Sequence, residues 1–329
     1  MTTTTLECRN LKKHFALGRR AVLKAVDGVS FALEAGKTLG LVGESGCGKS
    51  TVGRLLMGLE QRTDGEILVG GRSLETNRPG ELQRLRRAVQ MVFQDPNASL
   101  NPRVPVGVSV AEPMENFLPL KAGERKRRVA ELLEKVGLSG DAAKRLPSEF
   151  SGGQRQRIGI ARALSISPSV VIADEAVSAL DVSVQAQIIN LLGDLQADLG
   201  LSFLFISHDL AVVEHVAHRV AVMYLGRIVE IGTRAEVFGS PRHPYTAALL
   251  DAAPIEHPRE RRKRHALTGE LPSPLDPPAG CAFHGRCPFA RDICKSEAPA
   301  LSASRSGQSV ACHFANELSF EEPRHVRTA

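Results

Sequence analysis

The run Gly43, Glu44, Ser45, Gly46, Cys47, Gly48, Lys49, Ser50, Thr51 has the spacing G-x-x-x-x-G-K-[ST]. Glycines so placed let the backbone wrap closely around an anion, with successive N–H groups and a helix N-terminus turned toward phosphates. Lys49 is then the cation that reaches the terminal phosphates, and the Ser50 hydroxyl is a ligand for Mg²⁺. Such a loop works only between a strand and a helix. Residues 38–42 read as a buried strand entering it, and residues 52–59 as a helix leaving it. The expectation is a bound nucleoside triphosphate.

A second constellation supplies acids. Residues 170–173 are an apolar strand that ends in Asp174 and Glu175. A buried strand carries adjacent carboxylates only at great cost, so both belong at its exposed C-terminal end, beside the phosphate loop. Asp174 would hold Mg²⁺, directly or through water, and Glu175 would polarise an attacking water as general base. A third feature spans residues 150–157, where Ser151-Gly152-Gly153-Gln154 reads as a capping box opening a helix. The glycines after the cap leave the first helical N–H groups open to an external anion.

These residues need a scaffold. Residues 6–15 and 26–33 alternate as strands; residues 67–69 and 89–93 read as further strands. From Asp95 to Phe150 the pattern changes to a loop broken by Pro96, Pro102, Pro105 and Pro113, then helical spacing over 124–136. This predicts a helical insertion in an α/β core. Helices over 152–164 and 182–199 then alternate with strands at 170–173, 202–206, 220–224 and 228–231. Such alternation predicts a largely parallel sheet with helices on its faces. Composition shifts again at Pro254, so the boundaries read as a triphosphate-binding unit over 1–253, with its helical part at about 95–165, and a linker with a cysteine-rich extension over 254–329.

The 329 residues carry a net charge of +6, spread widely, with the densest basic runs at 259–265 and 125–128. With no Trp and only two Tyr, the chain lacks aromatics for base stacking, so both runs read as solvated and no nucleic-acid partner is expected. No apolar run is long enough to cross a bilayer, and residues 1–5 lack the features of a signal peptide. The expected location is the cytoplasm, reaching a membrane only through another protein.

Taken in order, the phosphate loop, Gln94, Ser151 to Gln154, Asp174-Glu175, Ser178-Ala179-Leu180-Asp181 and His208 resemble the ATP-binding cassette (ABC) ATPases, over roughly residues 5 to 250. The resemblance implies a P-loop NTPase core with a β-rich N-terminal subdomain and a helical subdomain. In that family two cassettes pack head to tail around two ATP molecules. Ser151, Gly152, Gly153 and Gln154 would then meet the γ-phosphate held by the opposite subunit, and Asp181 would line the interface. Gln94 would touch Mg²⁺ and the attacking water, and His208 would hydrogen-bond the γ-phosphate. Phe15 falls where an aromatic often stacks on adenine, although a core Phe fits as well. Ser207-His208-Asp209 is not a hydrolase triad, whose members come from distant parts of a chain. One departure stands out: Ala176 follows Glu175 where the family usually has Pro. A looser turn with hydrolysis intact is expected.

Residues 94–103, 178–187 and 243–250 resemble the peptide/nickel importer branch, and residues 203–210 and 223–226 its F-type ATPase subunit. That implies a second cassette (a D-type homologue or a copy of this chain), two transmembrane permeases and an extracytoplasmic binding protein. It also implies a peripheral position on the cytoplasmic face of the inner membrane. Peptides lead the expected solutes, ahead of nickel, glutathione and sugars. Cys281, Cys287, Cys294 and Cys312, spaced C-x5-C-x6-C-x17-C, suggest a metal rather than disulfides in the cytoplasm. Four thiolates suit a four-iron four-sulfur cluster, which similar tails of this branch are thought to carry; zinc and free thiols stay open. Rival readings are a non-transport ABC ATPase, an exporter cassette and a regulatory nucleotide-binding module without turnover. Glu175 speaks against the last, since binding alone needs no base.

Overall fold

The computed structural model describes residues 3–18, 21–95, 99–252, 269–304, 307–318 and 320. Four strands form an antiparallel sheet in the order β2-β1-β4-β5: β1 (Thr4–Leu17), β2 (Ala21–Glu34), β4 (Asp64–Val69) and β5 (Arg72–Ser73). Along β1 the inward residues run Leu6, Cys8, then Leu11, which breaks strict alternation. The register shifts between Cys8 and Leu11, and Asn10 there has φ 47°. This bulge inserts one residue and returns Leu11 to the buried face.

The larger sheet runs β11-β12-β10-β9-β3-β8-β7-β6. Its middle is parallel: β9 (Arg219–Tyr224), β3 (Thr38–Val42), β8 (Ser202–Ile206), β7 (Val170–Asp174) and β6 (Val89–Val92). The three strands β3, β7 and β8 are buried throughout, as strands covered on both faces must be. One core lies between the two sheets, with Leu6, Leu11, Val29, Leu41, Val52 and Ile206. A second lies on the opposite face and continues through the helices.

Those helices are α1 (Lys49–Leu56), α2 (Pro79–Ala88), α3 (Val106–Phe117), α4 (Ala122–Lys135), α5 (Gly152–Leu164), α6 (Val182–Leu199), α7 (Leu210–Val216), α8 (Arg234–Gly239), α9 (Pro244–Ala252) and α10 (Asp292–Ser296). The spans of α5 and α6 coincide with the sequence reading. The loop expected around Pro105 and Pro113 is corrected: residues 106–117 are helical, with Pro105 as N-cap and Pro113 inside. A proline one step before a helix loses nothing, because the first N–H groups have no intrahelical partner. Pro113 forfeits one rung, and Val110, Pro113 and Met114 compensate by burial. Helix α1 starts at Lys49 rather than at residue 52, since the loop itself turns into its first turn.

The tail is not a separate layer. From Arg227–Thr233 (β10) the sheet turns antiparallel and takes on β12 (Ser309–Val310) and β11 (Ser302–Ala303). Glu230 opposes Val310, Ile231 opposes Ser309, and the Ala311 amide donates to the Val229 carbonyl at 2.8 Å. Phe283 is 2% exposed within the second core. Burying a ring of that size is worth roughly 1.5–3 kcal/mol, enough to dock a segment with few apolar residues of its own. The boundary expected at residue 254 and the basic run at 259–265 lie outside the described residues, as do Pro96, Asn97 and Ala98 of the 94–103 stretch.

Candidate nucleotide site

The parallel strands end together. Leu41 pairs with Ile206, Ile206 with Asp174, and Ala173 with Val92. Gly43, Glu175, His208 and Gln94 therefore all emerge at the C-terminal edge of one sheet, the position where open α/β sheets bind ligands.

The phosphate loop is shaped by steric need. A Cβ on Gly43 would lie 2.2 Å from the Met223 carbonyl oxygen, and one on Gly48 2.1 Å from that of Ala25. Gly48 also has φ 108°, a conformation closed to most side chains. Lys49 is 5% exposed; its Nζ donates to the carbonyls of Gly43 at 2.7 Å and Glu44 at 3.0 Å. Among the described residues it makes no ion pair. A buried ammonium held by two neutral carbonyls and, at 3.9 Å, the Cys47 sulfur, at a helix N-terminus, fits an anionic ligand.

A cavity of about 270 Å³ opens over the loop, lined by Lys24, Ala25, residues 45–51, Glu175, Leu225 and Gly226. It brings Lys49 and Glu175 to one cleft. The Ser50 hydroxyl donates to Asp174 Oδ1 at 3.0 Å, so hydroxyl and carboxylate stand within reach of a shared cation. Burial pushes the Asp174 carboxyl up, opposed by the Ser50 hydrogen bond. Glu175 Oε1 lies 3.2 Å from His208 Nδ1.

Glu175 has φ 49°, a left-handed conformation that costs a non-glycine residue of order 1–3 kcal/mol. Its amide donates to the Ile206 carbonyl at 2.9 Å, and its own carbonyl accepts from the Ser178 amide at 3.1 Å and the Ser178 hydroxyl at 3.0 Å. Ala176 is 1% exposed. Hydrogen bonds and burial thus pin the turn that lacks proline.

Other predicted residues lie apart from this lining. Gln94 is exposed beyond β6. Ser151 caps α5: its hydroxyl accepts from the Gln154 amide at 3.3 Å, and its amide donates to Gln154 Oε1 at 3.0 Å, the expected capping box. Ser151, Gly152 and Gln154 face solvent. Gly153 packs on α6, where a Cβ would meet Val184 Cγ1 at 2.5 Å. Asp181 is the exposed N-cap of α6, and Val182 beside it is 83% exposed. Phe15 sits on β1 opposite Leu23, a cavity residue, with Lys13 Nζ 4.5 Å from its ring centroid.

The sequence alone assigns Tyr245 no chemical role. Its hydroxyl accepts from the Glu44 amide at 2.9 Å, and its ring lies 4.7 Å from that of Tyr224. The loop before α9 is held by Glu230, whose carboxylate accepts from the Arg242 and His243 amides at 2.8 and 3.0 Å. Burial pushes the Glu230 carboxyl up to about 7. The His-Pro-Tyr-Thr stretch thus carries a hydroxyl under the phosphate loop, and a buried polar Tyr in an apolar setting was the signal available for it.

Cys281, Cys287, Cys294 and Cys312 form no disulfide. The Cys281 amide donates to the Cys294 carbonyl at 2.8 Å. Burial pushes the Cys287 and Cys312 thiols up to about 11 each, and the nearby cysteines add to both shifts. Among the described residues no group of three or more His, Cys, Asp or Glu is gathered closely enough for one metal ion.

A parallel sheet, a phosphate loop and an acid pair at one edge define a P-loop ATPase of the ATP-binding cassette type. Residues 26–178 match the family profile described as ABC transporter, and residues 229–294 that described as oligopeptide/dipeptide transporter, C-terminal region. The chain is 55% identical to a probable peptide ABC transporter ATP-binding protein of Sinorhizobium fredii, over 95% of this chain and 90% of that one. It is 53% identical to a dipeptide transport ATP-binding protein of Escherichia coli, over 93% of each. Among solved structures it is similar to the ATP-binding cassette MJ0796 in a dimeric post-hydrolysis state bound to ADP and Pi. The TM-score there is 0.62 at 28% identity, covering 70% of this chain and 98% of that one. The chain belongs to the ABC transporter family, as an ATP-binding subunit of the oligopeptide/dipeptide branch. It is an ATPase. No helix among the described residues is long and apolar enough to cross a membrane.

Proposed function

We propose that this chain hydrolyses ATP to drive import of dipeptides or oligopeptides. The observation that carries the reading is the shared cleft of Lys49 and Glu175, with Ser50 on Asp174 and His208 on Glu175. Lys49 and the loop N–H groups, with Ser45, Gly46, Cys47 and Thr51 around them, bind the β- and γ-phosphates. Ser50 and Asp174 would hold Mg²⁺, which neutralises charge on the phosphate oxygens. Glu175 accepts a proton from the attacking water, and His208 fixes its carboxylate and meets the γ-phosphate. Gln94 reports occupancy to the membrane subunits, and Phe15 flanks the adenine side.

Ser151 to Gln154 serve the opposite subunit's ATP. Support comes from their solvent-facing position away from the cleft, from the exposed apolar Val182 on the helix beside them, and from the dimeric state of the cassette relative. The named relatives favour peptides over nickel, glutathione or sugars. The assembly contains a second cassette, two permeases and a binding protein, and places this chain on the cytoplasmic face of the membrane. The ATPase unit spans 1–253 and the linker with its cysteine-rich extension 254–329. In proteoliposomes carrying the full assembly, ATP hydrolysis should rise with peptide-loaded binding protein. A response to nickel or sugar alone would reject the peptide assignment.

The four tail cysteines would hold a four-iron four-sulfur cluster that staples the tail. The Cys287 and Cys312 thiols sense the charge of the other tail cysteines, yet no three of the four are near enough for one ion. Four thiolates would supply the ligand type that such a cluster takes. No step of hydrolysis uses this group. Anaerobically purified protein should contain iron and acid-labile sulfide in equal amounts; stoichiometric zinc without iron would refute the cluster.

A further inference from the structure

Every polar group of Glu44, the second residue of the phosphate loop, is committed. Its amide donates to the Tyr245 hydroxyl at 2.9 Å, and its carbonyl accepts from Lys49 Nζ at 3.0 Å. Its carboxylate accepts two hydrogen bonds from Arg286, at 2.7 and 3.0 Å, across 242 residues of sequence. The Arg286 side chain is 6% exposed. A two-point guanidinium–carboxylate pair fixes orientation as well as charge, so this contact sets where the first turn of the loop lies.

Arg286 is itself placed by the cysteine-bearing turn. Its amide donates to the Phe283 carbonyl at 3.0 Å, the His284 amide to the Cys281 carbonyl at 3.0 Å, and the Cys281 amide to the Cys294 carbonyl at 2.8 Å. A Cβ on Gly280 would lie 2.4 Å from the Cys294 carbonyl oxygen, which shows how tightly the two segments close. The Phe283 ring packs edge-on against Tyr224 at 5.3 Å and against Tyr245 at 5.4 Å. One short segment between two cysteines thus carries one of the groups that hold Glu44, Arg286, and packs Phe283 on the other, Tyr245.

We propose that Arg286 is a positioning residue of the ATP site: acting through Glu44, it holds the phosphate loop and makes MgATP affinity depend on the docking of the cysteine-bearing tail. An unpaired Glu44 carboxylate, one residue before the cavity lining that starts at Ser45, would add negative charge near the incoming triphosphate and repel it. It would also release the carbonyl that helps aim Lys49. Arg286 touches no reacting atom, so binding changes and the chemical step does not. The inference rests on the ATP site being the cleft of Lys49 and Glu175.

The test is a four-variant cycle in the full-length chain, titrating a fluorescent ATP analogue with Mg²⁺ and following KM and kcat in the assembled transporter. Arg286→Ala should weaken binding about tenfold and raise KM in step, with kcat within about twofold. In a Glu44→Gln background the same substitution should weaken binding by less than about twofold, because no charge is left to neutralise. Arg286→Lys, which keeps the charge but not the fork, should fall between, and it decides the matter if Arg286→Ala fails to fold. Equal weakening in both backgrounds would overturn the proposal. So would a fall in kcat at unchanged KM, or wild-type binding by Arg286→Ala and Arg286→Lys. Lys49→Ala separates the two levels: if it binds MgATP normally, the site assignment itself has failed; if it does not, an unaffected Arg286→Ala rejects only the clamp.

Discussion

Glu175→Gln should lower ATP turnover by about a hundredfold to ten-thousandfold, the range that a positioned general base supplies, while leaving MgATP binding within a few-fold of wild type. The substitution keeps the volume of the side chain and an oxygen facing His208, now at 3.2 Å from the carboxylate. It removes the negative charge and with it the capacity to take a proton. Glu175 holds its left-handed backbone through bonds to Ile206 and Ser178 that do not involve its side chain, so the turn should survive. The readout is steady-state phosphate release beside an equilibrium titration of nucleotide. Equal turnover in the two proteins would remove Glu175 from the chemistry.

The second large effect is expected from Lys49→Ala. Its ammonium is buried, makes no ion pair among the described residues, and rests on two carbonyls of the loop. Removing the cation from a desolvated contact costs roughly 3–5 kcal/mol, or about two to four decades in affinity. Nucleotide stabilises the folded chain in proportion to the logarithm of its concentration over Kd, so the rise in melting temperature on adding MgATP should vanish in the variant. A wild-type thermal shift would show that the triphosphate binds elsewhere.

Much of this site was legible because chemistry fixes spacing within a short segment. The loop from Gly43 to Thr51 must alternate flexible backbone and one cation over a few residues, and the acid pair must end an apolar strand. The ends of α5 and α6 were legible for a local reason too: Ser151 reciprocates with Gln154, and Gly200 closes α6 in a left-handed conformation. What escaped is non-local. Nothing near Arg286 announces Glu44, and the pairing of Ser309 and Val310 on β10 rests on two residues with no strand pattern around them. The helix through Pro113 escaped because burial outweighed a local penalty. Phe15 illustrates a third limit: its type allowed stacking or core packing, and it lies on the strand next to the cavity lining, in neither core.

The most direct measurement is a structure of Glu175→Gln in its assembly with MgATP bound. The metal should lie between the Ser50 hydroxyl and Asp174, with the γ-phosphate at Lys49, His208 and the substituted residue 175, and a Ser-Gly-Gly-Gln helix from the facing subunit closing it. A triphosphate lying outside this cleft, or one reached by Lys49 but not by residue 175, would contradict the assignment.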